Sequence, residues 1–348
     1  MATGRTARTG RIAAAGIAVA GVVGLGLLAA PGGAGAAPEL PPVTPEDLVS
    51  SVLAADPGAF DGTVELDNAL GLPVLPGMPQ AANGTSSARL WSDGAGRGRV
   101  QLPTGSGERT LVSDGTTFWA WNSEDRTVTK APEGQHTGDG RDAANADPAA
   151  AATEALAALR PTSDISVDGT AEVAGRPAYE LVLAPAASER TLLREVRVAV
   201  DAEHRVPLQL TVLANGSTNP VLQLGFTDVT FGPQDPSLFT FTPPPGATVQ
   251  DAQRPDGAPE DAQQHEGAAP TIVGDGWDTV VVASKPAQDT TSTPEGAPDL
   301  SSLGTPVSGP WGNGRLISTA VANAIITDDG RVAAGAVPEQ VLTEALAR

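Results

Sequence analysis

The chain has no cysteine, only two lysines (Lys130 and Lys285), and 3% aromatic residues in 348 positions. The missing cysteine excludes a disulfide scaffold, a thiolate metal site, a cysteine nucleophile and a Cys-anchored lipoprotein. Basic residues number 21 against 41 acidic ones, a formal charge of −20. A nucleic-acid binder needs the opposite balance, because its affinity comes from basic groups that release counterions. The sequence also lacks an H-E-x-x-H, G-x-S-x-G, S-x-x-K or G-x-x-x-x-G-K-[ST] pattern. Its three histidines, His136, His204 and His265, fall in a loop, a hairpin turn and a linker, away from any nucleophile. The acidic pairs Glu46/Asp47, Asp328/Asp329 and Glu260/Asp261 lie at a helix start, in a turn and in a linker. Solvation explains them better than a glycosidase dyad or a calcium site. Composition and motifs therefore speak against an enzyme, and no cofactor or metal is expected.

The N-terminus carries Arg5, Arg8 and Arg11, then an apolar and glycine run from Ile12 to Ala30, then Ala34-Gly35-Ala36. This order is that of a signal peptide over residues 1–36, which implies export to the extracytoplasmic space or cell envelope. Cleavage after Ala36 or Ala37 removes three arginines and leaves a formal charge of −23. The competing reading is retention as a membrane anchor, since the run is just long enough to span a bilayer. Arginine in place of lysine, with abundant alanine, suggests a GC-rich genome such as an actinobacterium's.

Beyond the leader, Thr44-Pro45-Glu46-Asp47 predicts a capped helix with Leu48, Val49, Val52 and Leu53 on its apolar face. Period-two alternation follows, broken by turn residues such as Asp114-Gly115, Gly175 and Asn215-Gly216. It predicts six strands up to Lys130, a helix over about Ala149–Arg160 with Asp147 as N-cap, and five more strands up to Phe231. The fold class is mainly β: an incomplete, half-open antiparallel β-barrel of about eleven strands with two short α-helices over the concave face. A sheet that size must curl to bury one face, and two small helices leave its hollow under-filled. Residues 38–249 form this domain and 250–270 an acidic, Pro-containing linker. Residues 271–348 form a small α+β tail: a strand over Trp277–Ser284, a polar linker over Lys285–Pro298, an apolar segment over Leu316–Thr327, Arg331–Val337 and a final helix. So few apolar residues predict that the tail docks on the main domain, by strand addition to its edge.

The segment Leu111-Val112-Ser113-Asp114-Gly115-Thr116-Thr117-Phe118-Trp119 resembles the central hairpin of the LolA-like lipoprotein carrier family. Phe239-Thr240-Phe241-Thr242-Pro243-Pro244-Pro245 is similar to the segment that ends the domain in actinobacterial and sporulation-associated (YdcC-like) relatives. Gly62-Thr63-Val64, after a capped helix, resembles the family's first strand. The resemblance implies a half-barrel that binds acyl chains of lipids or lipoproteins. The alternative it implies is an envelope sensor of the RseB/MucB kind, which regulates a membrane anti-sigma factor or similar partner. For the latter, the acidic linker or tail would meet a basic membrane-associated partner. The family's ligand-gating arginine has two candidates here, Arg89 and Arg99.

Candidate ligand residues fall in two groups. Trp91, Trp119 and Trp121 are either core or cavity lining, with Trp119 and Trp121 on one strand face and Phe118 and Ala120 on the other. Leu72, Val74, Leu75 and Met78 sit in a Pro-rich loop, either docked on the barrel rim or forming an apolar lip that admits a chain.

Overall fold

The computed structural model describes residues 39–71, 83–132, 148–252, 270–284 and 304–348. The leader, the loop carrying Leu72, Val74, Leu75 and Met78, Asp147, residues 253–269 of the first linker, the second linker, His136 and His265 lie outside the described residues, whereas Gln250 and Asp251, expected in the linker, are in a short strand.

Helix α1 (Pro45–Leu53) begins where the Thr44 hydroxyl accepts the Asp47 N–H at 3.1 Å, with Pro45 in the first helical position. Its Leu48 is fully buried against Tyr179, Leu181 and Val200. Strands β1 (Phe60–Asn68), β2 (Gly84–Ser92), β3 (Gly98–Thr104), β4 (Gly107–Ser113), β5 (Thr117–Asn122) and β6 (Thr127–Pro132) follow. Helix α2 (Pro148–Leu159) then precedes β7 (Ser163–Val173), β8 (Arg176–Pro185), β9 (Leu193–Asp201), β10 (Pro207–Ala214) and β11 (Pro220–Phe231). With the short β12 (Thr248–Asp251) they form one twelve-stranded sheet, ordered β12-β6-β5-β4-β3-β2-β1-β11-β10-β9-β8-β7. Two meanders, β1–β6 and β7–β11, are thus joined through the β1–β11 pair. All pairings are antiparallel except that of β12 with β6. The edges β12 and β7 do not meet, so the sheet is a half-open barrel.

Both helices lie over the concave face. Ala152 and Leu156 are the buried stripe of α2, and Arg160 at its end pairs with Glu46 of α1. At Gly62 a Cβ would stand 2.6 Å from the Asp228 carbonyl oxygen and 2.8 Å from the Phe226 ring. Glycine is therefore what lets β11 bulge against β1 and bring Phe226 into the concave side. The chain after β11 packs on the opposite, outer face. There Arg99 donates to the Leu238 carbonyl at 3.3 Å, Arg126 to that of Pro245 at 2.5 Å, and Phe239 is buried.

The tail corrects the expectation of strand addition. Strands β13 (Thr271–Val273), β14 (Val280–Ser284), β15 (Thr305–Gly309), β16 (Gly312–Ser318), β17 (Asn323–Thr327) and β18 (Arg331–Gly335) form a second sheet, ordered β13-β14-β18-β17-β16-β15. Helix α3 (Glu339–Leu346) covers one face, and Val280, Ile325, Ala333, Val337 and Leu342 between them are wholly buried. Small side chains at 333 and 345 let the helix sit close enough to build this core from few large residues. The expected strand over Trp277–Ser284 begins only at Val280, and Trp277 stands in the turn before it. Among the described residues no helix is long and apolar enough to cross a membrane.

Candidate functional site

Under α1 and α2 the large sheet encloses a hollow of about 710 Å³, partly open to solvent. That volume falls within the ~300–1,000 Å³ of ordinary small-molecule sites. Val49 of α1 and Ala155, Leu156 and Leu159 of α2 form its roof. Its floor is the inward row of successive strands, including Val64, Leu90, Leu111, Leu181, Val198 and Leu224. Of the described wall residues, only Arg99 is charged.

One end of the hollow is aromatic. The pairing register puts Phe60 opposite both Ser92 and Phe231, and carries the same row on through Gly98 and Ser113 to Phe118. The Phe60 ring meets Phe231 at 5.8 Å and Phe226 edge-on at 6.4 Å, between centroids. Behind Phe231, the His204 ring stacks at 3.7 Å and the Arg176 guanidinium lies 4.9 Å from the centroid. Arg176 is bonded to Asp201, which is fully buried, at 2.5 Å. Burial raises the Asp201 pKa, but the Arg176 bond and the amides of His204 and Glu203 outweigh it and hold the carboxyl below its usual range. The Asp201 bond in turn raises the Arg176 pKa above its ordinary value. His204 is thus held in a cluster of ion pairs, with no hydroxyl nucleophile among its bonded partners in the described structure.

The tryptophans divide by strand alternation. Phe118 is the hollow-facing aromatic of β5, a face it shares with Ser113 and Leu111. Trp119 stands opposite Val112, and Trp121 opposite Thr110 and Val128; those three partners are buried on the outer side. There the Trp119 ring leans on Phe241 at 5.6 Å and its indole N–H donates to Asp114 at 3.0 Å. Burial pushes the Asp114 carboxyl up. Four hydrogen bonds, from the Trp119 and Thr116 side chains and the amides of Thr117 and Thr116, prevail and lower it to about 2. Trp119 therefore anchors the Asp114-Gly115 turn of the hairpin. Trp91 belongs to the wall, but its position opposite Asp61 and Arg99 places the ring on the outer side, where Arg89 lies 5.0 Å from its centroid. Arg89 pairs with Asp61 at 3.1 Å. The remaining candidates, Leu72, Val74, Leu75 and Met78, lie outside the described residues.

Sequence reasoning missed Phe60, Phe226 and Phe231 as a group, and it missed Trp277. The phenylalanines sit on strands 160 or more positions apart in places, at an inward phase that alternation predicts once the face is known. Trp277 comes from the C-terminal unit and completes the wall beside Leu159 and Leu183. No local pattern signals it. Among the described residues no cluster of three His, Cys, Asp or Glu could hold a metal ion.

No protein-family model matches the chain, and no curated protein matches it by sequence. Solved structures do. MucB in complex with MucA(peri) is 18% identical, with a TM-score of 0.45 over 87% of this chain and 97% of that one. The MucA/MucB complex of Pseudomonas aeruginosa gives 16% identity and a TM-score of 0.44 over 87% and 96%. A LolA superfamily protein of Nitrosomonas europaea, NE2245, gives 13% and 0.24 over 57% and 99%.

Proposed function

We propose that this is an exported, non-enzymatic carrier that holds the acyl chains of lipids or lipoproteins in the hollow of its half-barrel. The observation that carries the reading is the hollow itself: about 710 Å³, roofed and floored by aliphatic and aromatic side chains, and open enough for entry. A hydrocarbon needs only that. Each methylene taken from water contributes about 0.8 kcal/mol, so a long chain is held firmly without covalent chemistry or a dedicated polar contact. Release from such a site needs no bond to break, which suits a carrier better than an enzyme. The ion pairs behind Phe231, Arg176–Asp201 and their neighbours, are consumed in fixing the β9–β10 turn. Export is supported by the leader over residues 1–36.

The test is solvent extraction of the purified full chain followed by lipid mass spectrometry, with uptake of a fluorescent fatty acid measured in parallel. Co-purifying lipid, or saturable uptake at one site, is expected. An empty protein that takes up no fatty acid would overturn the reading in favour of a protein–protein role.

A further inference from the structure

The carrier reading leaves open what length of chain the hollow accepts, and the contact between the two units bears on it. Trp277 belongs to the C-terminal unit, yet it lines a hollow whose other described wall residues all belong to the first, with its indole bonded to Ser163 on the inward face of β7. Its location follows from the strand register. Phe60, Phe231, Ser113 and Phe118 share one end of the sheet. Ser163 pairs with Pro185 and Leu183 with Val196 at the other end, and Trp277 is bonded there. The hollow thus runs from a phenylalanine cluster to a tryptophan.

Trp277 is held rigidly. Its backbone N–H donates to Glu189 Oε2 at 2.7 Å, that of Asp278 to the same oxygen at 3.3 Å, and its indole N–H to Ser163 Oγ at 2.7 Å. Gly276 is pressed so closely on the first unit that a Cβ would lie 2.5 Å from Glu189 Oε2 and 2.6 Å from the Thr162 methyl. With its polar group satisfied by Ser163, the indole has only apolar ring to offer the hollow. Further bonds hold the unit in register: the Leu192 N–H and Thr191 hydroxyl to the Ala336 carbonyl, at 2.8 and 2.6 Å, and Arg190 to Glu344 at 2.8 Å.

We propose that Trp277 is the end-stop of the acyl-chain site, so that the C-terminal unit sets the longest chain the half-barrel can bury. The proposal rests on the carrier reading. Up to the stop, each added methylene tightens binding about fourfold, the equivalent of about 0.8 kcal/mol. Beyond it, the extra carbons must buckle or remain in water, and affinity stops rising.

The experiment is a titration of the full-length protein with saturated fatty acids from octanoate to eicosanoate, for the native chain, Trp277→Ala and Trp277→Phe. Arg190→Ala serves as a control that weakens docking without touching the wall. The native chain is expected to show a steady gain and then a plateau. Trp277→Ala should move the plateau to longer chains by several methylenes, while Trp277→Phe and Arg190→Ala keep it near the native length. A Trp277→Ala profile with the native plateau would overturn the end-stop while leaving the carrier reading intact. So would a Trp277→Phe profile identical to that of Trp277→Ala, since ring bulk would then not be what ends the site. A native chain that binds no member of the series would overturn the carrier reading itself.

Discussion

The two sheets solve the same burial problem with opposite results. The six-stranded sheet and its single short helix close on one another: Leu342 and Val337 are wholly buried against Val280, Ile325 and Ala333. The twelve-stranded sheet has two helices, of 9 and 12 residues, to cover a far larger curved face, and about 710 Å³ remains. A short helix fills a short, small-residue surface but only spans a wide one. Curvature keeps opposite walls apart, and Ala152 and Ala155 on α2 reach too little way across. The hollow is thus a consequence of sheet size against helix supply rather than of any missing strand.

The largest expected effect tests that contrast directly. Leu342→Ala removes a side chain with neighbours on every side and should cost about 3 kcal/mol. Leu156→Ala removes one that borders the hollow and should cost about 2 kcal/mol, at the low end for a buried leucine, because fewer packed atoms are lost. Urea unfolding of both variants checks the pair; equal losses would mean the hollow wall is packed as tightly as the small core.

A second prediction compares the two faces of the large sheet. The outer face is filled by Trp119, Phe239 and Phe241 around the Asp114 turn. The Asp114 pKa is lowered from 3.8 to about 2, so its contribution is complete above pH 4 and lost as pH falls through about 2. Stability of the native chain should therefore drop on acidification through that window. Asp114→Asn should cost on the order of 1 kcal/mol at pH 7, after screening of this half-buried group, and flatten that part of the curve. Thermal melts at pH 2, 3, 4 and 7 read both effects.

The smallest stability change should come from filling the hollow. Val196→Phe adds bulk where there is space to receive it, and should shift stability by less than about 1 kcal/mol while abolishing fatty-acid uptake. In the small core, insertion of extra carbons costs about 1–3 kcal/mol. Large destabilisation by Val196→Phe would show that this part of the wall has no free space beside it.

Much of this architecture is legible in local sequence because its causes are local. The Thr44-Pro45 cap, the alternation of Leu181, Leu183 with their neighbours, and the turn at Asp114-Gly115 each act within a few residues, so α1, β8 and the central hairpin follow from them. The short β13 and β15 carry too few residues to show a period, and β12 is made a strand only by β6, far away in sequence. Alternation sorts Phe118 from Trp119 but cannot say which side is inward. That depends on which face the helices cover and which face the chain after β11 occupies.

The sequence alone therefore determined a large antiparallel sheet, the eleven strands of its two meanders and its shortage of covering helix, since backbone preference and turn chemistry are short-ranged. Only the tertiary structure decided which aromatics face the hollow and that Trp277 joins its wall from a second unit. Burial is settled by what packs across space, and residues far apart in the chain carry no mutual mark until the fold brings them together.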